Sequence, residues 1–209
     1  MKNYSQNDEQ EIILNYLESN DINSGKVLEI GAYDGENFSN VRALLLKNSD
    51  WKATMVDASS FCFVKLFEMY KEHEDRIDLI NSVVCMEEDL GSTSLVEFYE
   101  SPLSAVSSTS LAHTKRFESI IPEKIRKTYM SKVGMKEILD KFGPFEFINI
   151  DIEGYSARLV LQDWFNPMDY GCKIICIEHD GLVHQIGEKL TRFGYKFISI
   201  NGENIIFGL

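Results

Sequence analysis

Residues 195–207, YKFISINGENIIF, decide the fold. Two runs rich in β-branched and aromatic residues flank Asn201-Gly202, and Asn-Gly is a strong signal for a tight hairpin, so the last strand runs antiparallel to the one before it. Upstream the pattern changes. Strands expected at 26–31, 52–57, 77–84, 145–151 and 173–179 alternate with helices expected at 36–47, 61–73, 135–142, 155–164 and 183–193, with a short strand near 95–99. Such alternation implies a parallel sheet with helices on both faces. The expected fold is therefore α/β: a doubly wound, seven-stranded, mostly parallel sheet that closes with a C-terminal antiparallel hairpin. Ile12, Ile13, Tyr16 and Leu17 fall at helical spacing within 8–19, which adds an amphipathic helix to an N-terminal extension of residues 1–24.

With 209 residues, 44% of them apolar and 26% charged, the chain reads as one domain over 1–209 with a full core. Cys62, Cys85, Cys172 and Cys176 form no C-x-x-C pair and read as reduced and structural. No apolar run approaches the ~18 residues that span a bilayer, and the start of the chain is polar, so the cytoplasm is the default location and no membrane partner is expected. The net charge of −12 opposes nucleic acid, whose binding rests on cationic contacts to phosphate. That charge is uneven. Lys115, Arg116, Lys124, Arg126, Lys127 and Lys132 stand against Glu118 and Glu123 in 113–132, a local +4 beside −16 elsewhere. This stretch is either a solvated helix face or an anion-steering lid. It overlaps a connection, 100–131, that is too long for an ordinary compact loop and is expected to be a substrate lid with helix around 115–130.

Chemistry enters at VLEIGAYDG, 27–35, where a short buried strand ends between glycines and acids. Gly31 and Gly35 allow a sharp turn and close approach of bare backbone to a ligand. Glu29 would repel a pyrophosphate but can accept hydrogen bonds from an ammonium group. Asp57 ends the next strand, where an acid can take both hydroxyls of a ribose, a role it would also fill in a dinucleotide site. The dinucleotide pattern G-x-G-x-x-G is broken here, because Tyr33 and Glu36 stand where glycines belong. The dinucleotide reading therefore weakens, and the stretch reads as a site for S-adenosyl-L-methionine (SAM). A second constellation, FEFINIDIEGYSARLVLQDW at 145–164, stops a buried strand at Asp151 and adds Glu153 and Gly154 before a helix. Its carboxyl end faces the same crevice as Gly31 and Asp57, so the two acids serve a ligand, the helix N-terminus near Tyr155, or both.

With VLEIGAYDGENFS, VDASS, NSVVCMEEDLGSTSLVEFY and FINIDIEGY in view, the chain resembles the FkbM family of SAM-dependent methyltransferases over roughly residues 25 to 180. The resemblance implies the class I methyltransferase fold, strand order 3-2-1-4-5-7-6, and methyl transfer to a hydroxyl oxygen, often on a sugar or a secondary metabolite. It also implies that Glu29, Gly31, Asp34 and Gly35 surround the methionine part, that Asp57 and Ala58 hold the ribose and adenine, and that Ser82 and Val83 edge the adenine ring. Family members commonly carry prolines after the ribose acid, where this chain has Ala58 and Ser60.

A hydroxyl acceptor needs a base, and the candidates by strand position are Asp151, Glu153 and His179. His73, His113 and His184 read as surface residues. A rival arrangement has Asp151, Glu178 and His179 hold a divalent ion. The expected partner is a small-molecule acceptor, a sugar or an anionic metabolite. Methylation of nitrogen or carbon, or a binding domain that kept the fold without the chemistry, are the alternatives.

Overall fold

The computed structural model describes residues 2–101, 105–120 and 124–209. In chain order its elements are α1 (Glu9–Ser19), β1 (Gly25–Ile30), α2 (Arg42–Lys47), β2 (Trp51–Asp57), α3 (Ser60–Tyr70), β3 (Ile77–Asn81), β4 (Val83–Cys85), β5 (Leu95–Glu100) and α4 (Leu111–Lys115). There follow β6 (Arg126–Gly134), α5 (Met135–Phe142), β7 (Phe147–Ile150), α6 (Ser156–Leu161), β8 (Ile174–Glu178), α7 (Val183–Arg192), β9 (Lys196–Ile200) and β10 (Asn204–Gly208).

Seven strands form the main sheet in the order β3-β2-β1-β7-β8-β10-β9. Counted along the main sheet alone, this is the order 3-2-1-4-5-7-6 anticipated from the sequence. All neighbours are parallel except β10, which pairs antiparallel with both β8 and β9. The terminal turn is centred one residue later than Asn-Gly itself. The Asn201 N–H donates to the Asn204 carbonyl at 2.9 Å, and Asn201 Oδ1 accepts from the N–H groups of Glu203 and Asn204 at 2.9 and 2.7 Å. The asparagine side chain thus stands in for a backbone acceptor in closing the turn.

Strand alternation sorts the core into two layers. Leu28, Ile30, Ile148, Ile150, Ile175 and Ile177 face α5, α6 and α7, where Ile138, Leu139, Val160, Ile186 and Leu190 close the layer. Val27, Phe147, Ile174 and Cys176 face the other way, against Ile13, Leu17, Leu44, Leu66 and Tyr70 of α1, α2 and α3. α1 is pinned by its Tyr16 hydroxyl, which donates to the Leu209 carbonyl at 2.9 Å. Buried Glu9 holds the hairpin by accepting from Asn201 Nδ2 and Asn204 Nδ2 at 2.6 and 3.0 Å.

The expected strand 77–84 is two strands. The chain leaves the main sheet at Ser82, and β4 joins a separate three-stranded sheet in the order β4-β6-β5. Helix was expected around 115–130. Instead the described part contains the short α4 and then β6, paired antiparallel with β5 from Leu95↔Ser131 to Glu100↔Arg126. The reason is a two-residue alternation: Thr128 and Met130 turn inward while Tyr129, 59% exposed, and Ser131 turn outward. Much of the basic run is therefore a solvated strand, with Lys127 paired to Glu97 and Arg126 lying over the Phe61 ring. Residues 102–104 and 121–123 of the expected lid lie outside the described residues.

Candidate active-site cleft

The cleft opens at the carboxyl ends of β1, β2 and β7, where doubly wound sheets place their ligands. One wall is apolar, built from Ile30, Val56, Ala58, Cys62, Val83 and Phe98. Across it stand Asp151, Glu153 and Tyr155 from the turn after β7, and Ala105, Ser107, Ser108 and Thr109 with Gln6 complete the rim.

Asp57 is the best-fixed polar group there. Its Oδ2 accepts from the Tyr33 N–H and its Oδ1 from the Ser59 N–H, both at 2.8 Å, and Asn81 Nδ2 holds its carbonyl at 2.8 Å. Burial pushes its carboxyl up to about 7 against the pull of those two amides. Each oxygen keeps acceptor capacity beyond its one backbone bond. Ser59, next in line, caps α3 and donates to Glu100 at 2.8 Å.

Gly31, Asp57, Ala58, Ser82, Val83, Asp151 and Glu153 all border the cleft; Glu29, Asp34, Gly35 and His179 do not. Glu29 shares a strand face with Val27, so the pleat turns it under α2, and it is 1% exposed. There it accepts from the Ser39 hydroxyl at 3.1 Å and from the Asn40 N–H at 3.1 Å, while burial raises its carboxyl to about 8. Asp34 folds its own loop by accepting from the Glu36 and Asn37 amides and from Asn37 Nδ2. Gly35 is a packing glycine, since a Cβ would stand 2.6 Å from Leu66 and 2.7 Å from Tyr70. Gly31 is needed for a different reason. Its φ is +89°, and a Cβ would lie 1.8 Å from the Asp151 carbonyl oxygen, so only glycine lets β1 and β7 end side by side.

The helix after this loop differs from a phosphate-binding one. α2 begins at Arg42, seven residues beyond Gly35, and its first amides are already used: Asn40 N–H by Glu29, and Val41 and Arg42 N–H by Ser39 Oγ at 3.2 and 3.0 Å. A helix N-terminus so capped offers no cradle for a pyrophosphate.

Beyond β7 and β8 the site is strongly acidic. Burial, with Glu153 and Glu203 nearby, drives the Asp151 carboxyl up, and burial with Asp151 and Asp180 does the same to Glu178. Glu178 accepts from Ser156 Oγ at 2.9 Å, and Asp180 takes the Ala157 N–H at the start of α6 at 3.0 Å. His179 Nδ1 accepts from the Gly181 N–H at 3.0 Å, so its ring serves the local turn. Asp151, Glu178 and His179 do not converge as ligands. Among the described residues no group of three or more His, Cys, Asp or Glu is arranged to hold a metal ion.

His113, which the sequence placed on the surface, is instead buried against Glu153, one of the residues that border the cleft. It is 8% exposed, and its Nε2 lies 2.6 Å from Glu153 Oε2. Tyr33 and Phe38 were missed as lining residues. Both adopt positive φ, +50° and +62°, and their rings stack at 6.1 Å. The glycine-rich loop was a signal for Tyr33, which it contains; Gln6 reaches the cleft, and His113 reaches Glu153, from segments without any motif.

No family model matches the chain, and no curated protein does. Solved structures with a similar fold include a methyltransferase from Pyrococcus furiosus, 13% identical over 95% of this chain and 82% of that one, TM-score 0.42. The SAH-bound Podospora anserina methyltransferase PaMTH1 is another, 11% identical over 95% and 77% of the two chains, TM-score 0.44. The functional reading rests on this chain's own residues. Among those described, no helix is long and apolar enough to cross a membrane.

Proposed function

We propose that the protein is a SAM-dependent methyltransferase acting on a hydroxyl oxygen of a small, uncharged acceptor such as a sugar or secondary metabolite. The observation that carries the reading is Asp57: a carboxylate at the end of β2, fixed in the cleft by two backbone amides and bordered by the apolar Ala58, Val83 and Phe98. An adenosine fits that combination, with the ribose hydroxyls on the acid and the base against the apolar wall. The capped start of α2 speaks against a dinucleotide, which would bring a pyrophosphate to that point. The FkbM-like motifs agree with both points.

Bound SAM supplies an electrophilic methyl group on a sulfonium, a good leaving group, so the protein's work is alignment and proton removal. Asp151 and Glu153 border the other end of the cleft and are the candidate bases. A carboxyl whose pKa is pushed upward by burial and by neighbouring acids holds a proton near neutrality better than an ordinary one, which suits Asp151 to take the acceptor's hydroxyl proton. His179 lies outside the cleft lining and is not part of this assignment. The three carboxylates that border the cleft, with no Lys or Arg among its described lining residues, favour an uncharged acceptor over an anionic one. Calorimetric titration with SAM and with NAD tests the cofactor, and incubation of a metabolite extract with methyl-labelled SAM tests the transfer. NAD binding tighter than SAM would end the reading.

A further inference from the structure

Residues 105–120, between β5 and β6, are seated on the turn that follows β7 by contacts that converge on Glu153. Ser108 Oγ donates to the Glu153 carbonyl at 2.8 Å, and His113 Nε2 meets Glu153 Oε2 at 2.6 Å. The other ring nitrogen, Nδ1, is in hydrogen-bond contact with the Arg116 guanidinium. The Ser110 hydroxyl accepts from the His113 N–H at 3.2 Å, and the Phe117 ring lies 5.4 Å from the imidazole. Gly154 completes the seat: its φ is +77°, and a Cβ there would come 2.6 Å from His113 Nδ1.

Guanidinium has donors only, so an imidazole nitrogen in contact with it must be the acceptor. The remaining ring proton then sits on Nε2 and is donated to Glu153. We infer that His113 is a positioning residue for Glu153: Arg116 fixes the ring in the Nε2–H tautomer, and the seating of residues 105–120 on the turn after β7 thereby orients the carboxylate that borders the acceptor end of the cleft. Because Nδ1 is occupied, the ring steadies Glu153 rather than relaying its proton onward. Only the role of Glu153 toward an acceptor rests on the proposed methyl transfer; the tautomer and the seating do not.

The test needs no acceptor. In ¹⁵N-labelled protein at about pH 8, where an ordinary imidazole is neutral, the ring nitrogens of His113 should show the proton on Nε2, and Arg116→Met should give a mixture of tautomers. Amide exchange supplies the second measurement. His113→Ala should speed exchange over 108–118 by about tenfold, the equivalent of one hydrogen bond to a charged group. His113→Gln, which keeps an N–H donor within reach of Glu153, should restore most of the protection. Gly154→Ala should unseat the ring and reproduce the alanine variant. An Nδ1–H tautomer in the wild type, a tautomer indifferent to Arg116→Met, or a glutamine variant no better than alanine would overturn the inference. Absence of SAM binding by the wild type would bring down the proposed function and leave this result standing.

Discussion

Replacing Glu29 by glutamine should make the protein more stable at neutral pH and flatten the dependence of its stability on pH. The side chain is buried beneath α2, accepts from Ser39 and Asn40, and has its carboxyl raised by burial from 4.5 to about 8. A carboxyl whose pKa is higher in the folded state than in the unfolded chain binds its proton preferentially in the fold. Its contribution is therefore fully present below the unfolded value and is lost as pH climbs through the window toward about 8. One proton of difference is worth about 1.4 kcal/mol per pH unit, so the wild type should lose roughly 2 kcal/mol between about pH 6 and pH 7.5 through this group. Glutamine keeps an oxygen acceptor for Ser39 and Asn40 and carries no charge, so that part of the slope should vanish. Urea unfolding followed by tryptophan fluorescence reads it, since Trp51 is fully buried next to α2. Asp57, Asp151 and Glu178 titrate in the same direction, so the decisive quantity is the difference in slope between wild type and variant. Equal slopes would mean that Glu29 is ionised in the fold, and the account of it as a neutral brace would be wrong.

Asp57→Ala should weaken SAM binding by about 1.5–3 kcal/mol in calorimetry while the fold persists, the range for hydrogen bonds to a charged group; unchanged affinity would remove the ribose role. Asp151→Asn should lower turnover ~10²–10⁴-fold with SAM affinity nearly preserved, and wild-type turnover in that variant would transfer the role of base to Glu153. Gly31→Ala should lower the melting temperature sharply, because a Cβ 1.8 Å from the Asp151 carbonyl forces β1 and β7 apart; a change of less than about 0.5 kcal/mol would contradict the packing. Lys127→Ala should leave both the unfolding midpoint and SAM affinity essentially unchanged, since its pairing with Glu97 is solvent-exposed; a clear loss of either would contradict the solvated strand.

The main sheet was legible because its signals are local and periodic. Asn201-Gly202 marked the antiparallel end, and the apolar runs ending at Ile30, Asp57 and Asp151 marked strands whose ends share one crevice. The parity of those same strands was also legible: Glu29 alternates with Leu28 and Ile30, which places it on the opposite face from them, under α2. The second sheet was harder. Nothing in 77–85 separates β3 from β4 except Ser82, and the pairing of β4 with β6 joins segments some fifty residues apart. The basic residues of 126–132 masked a two-residue period in which only Thr128 and Met130 turn inward. His113 was beyond reach for a similar reason, because its place depends on Glu153 and Gly154, forty residues downstream.

The departure at Ser82 has a consequence for how such a chain can change. Residues 83–134 leave the main sheet after β3 and return to it through α5 and β7, so they occupy the place of a crossover whose length the sheet does not prescribe. The pairing of β1 with β2 and β7 is set by residues outside this excursion. Lengthening a surface connection carries only a slowly growing entropic penalty, about 0.6 kcal/mol for each doubling. Residues 105–120, which carry part of the rim and the seat of Glu153, can therefore be lengthened or exchanged while Asp57, Val83, Phe98 and the capped start of α2 stay as they are. The rim is thus separable from the wall that carries Asp57, much as a tool and its handle can be replaced independently.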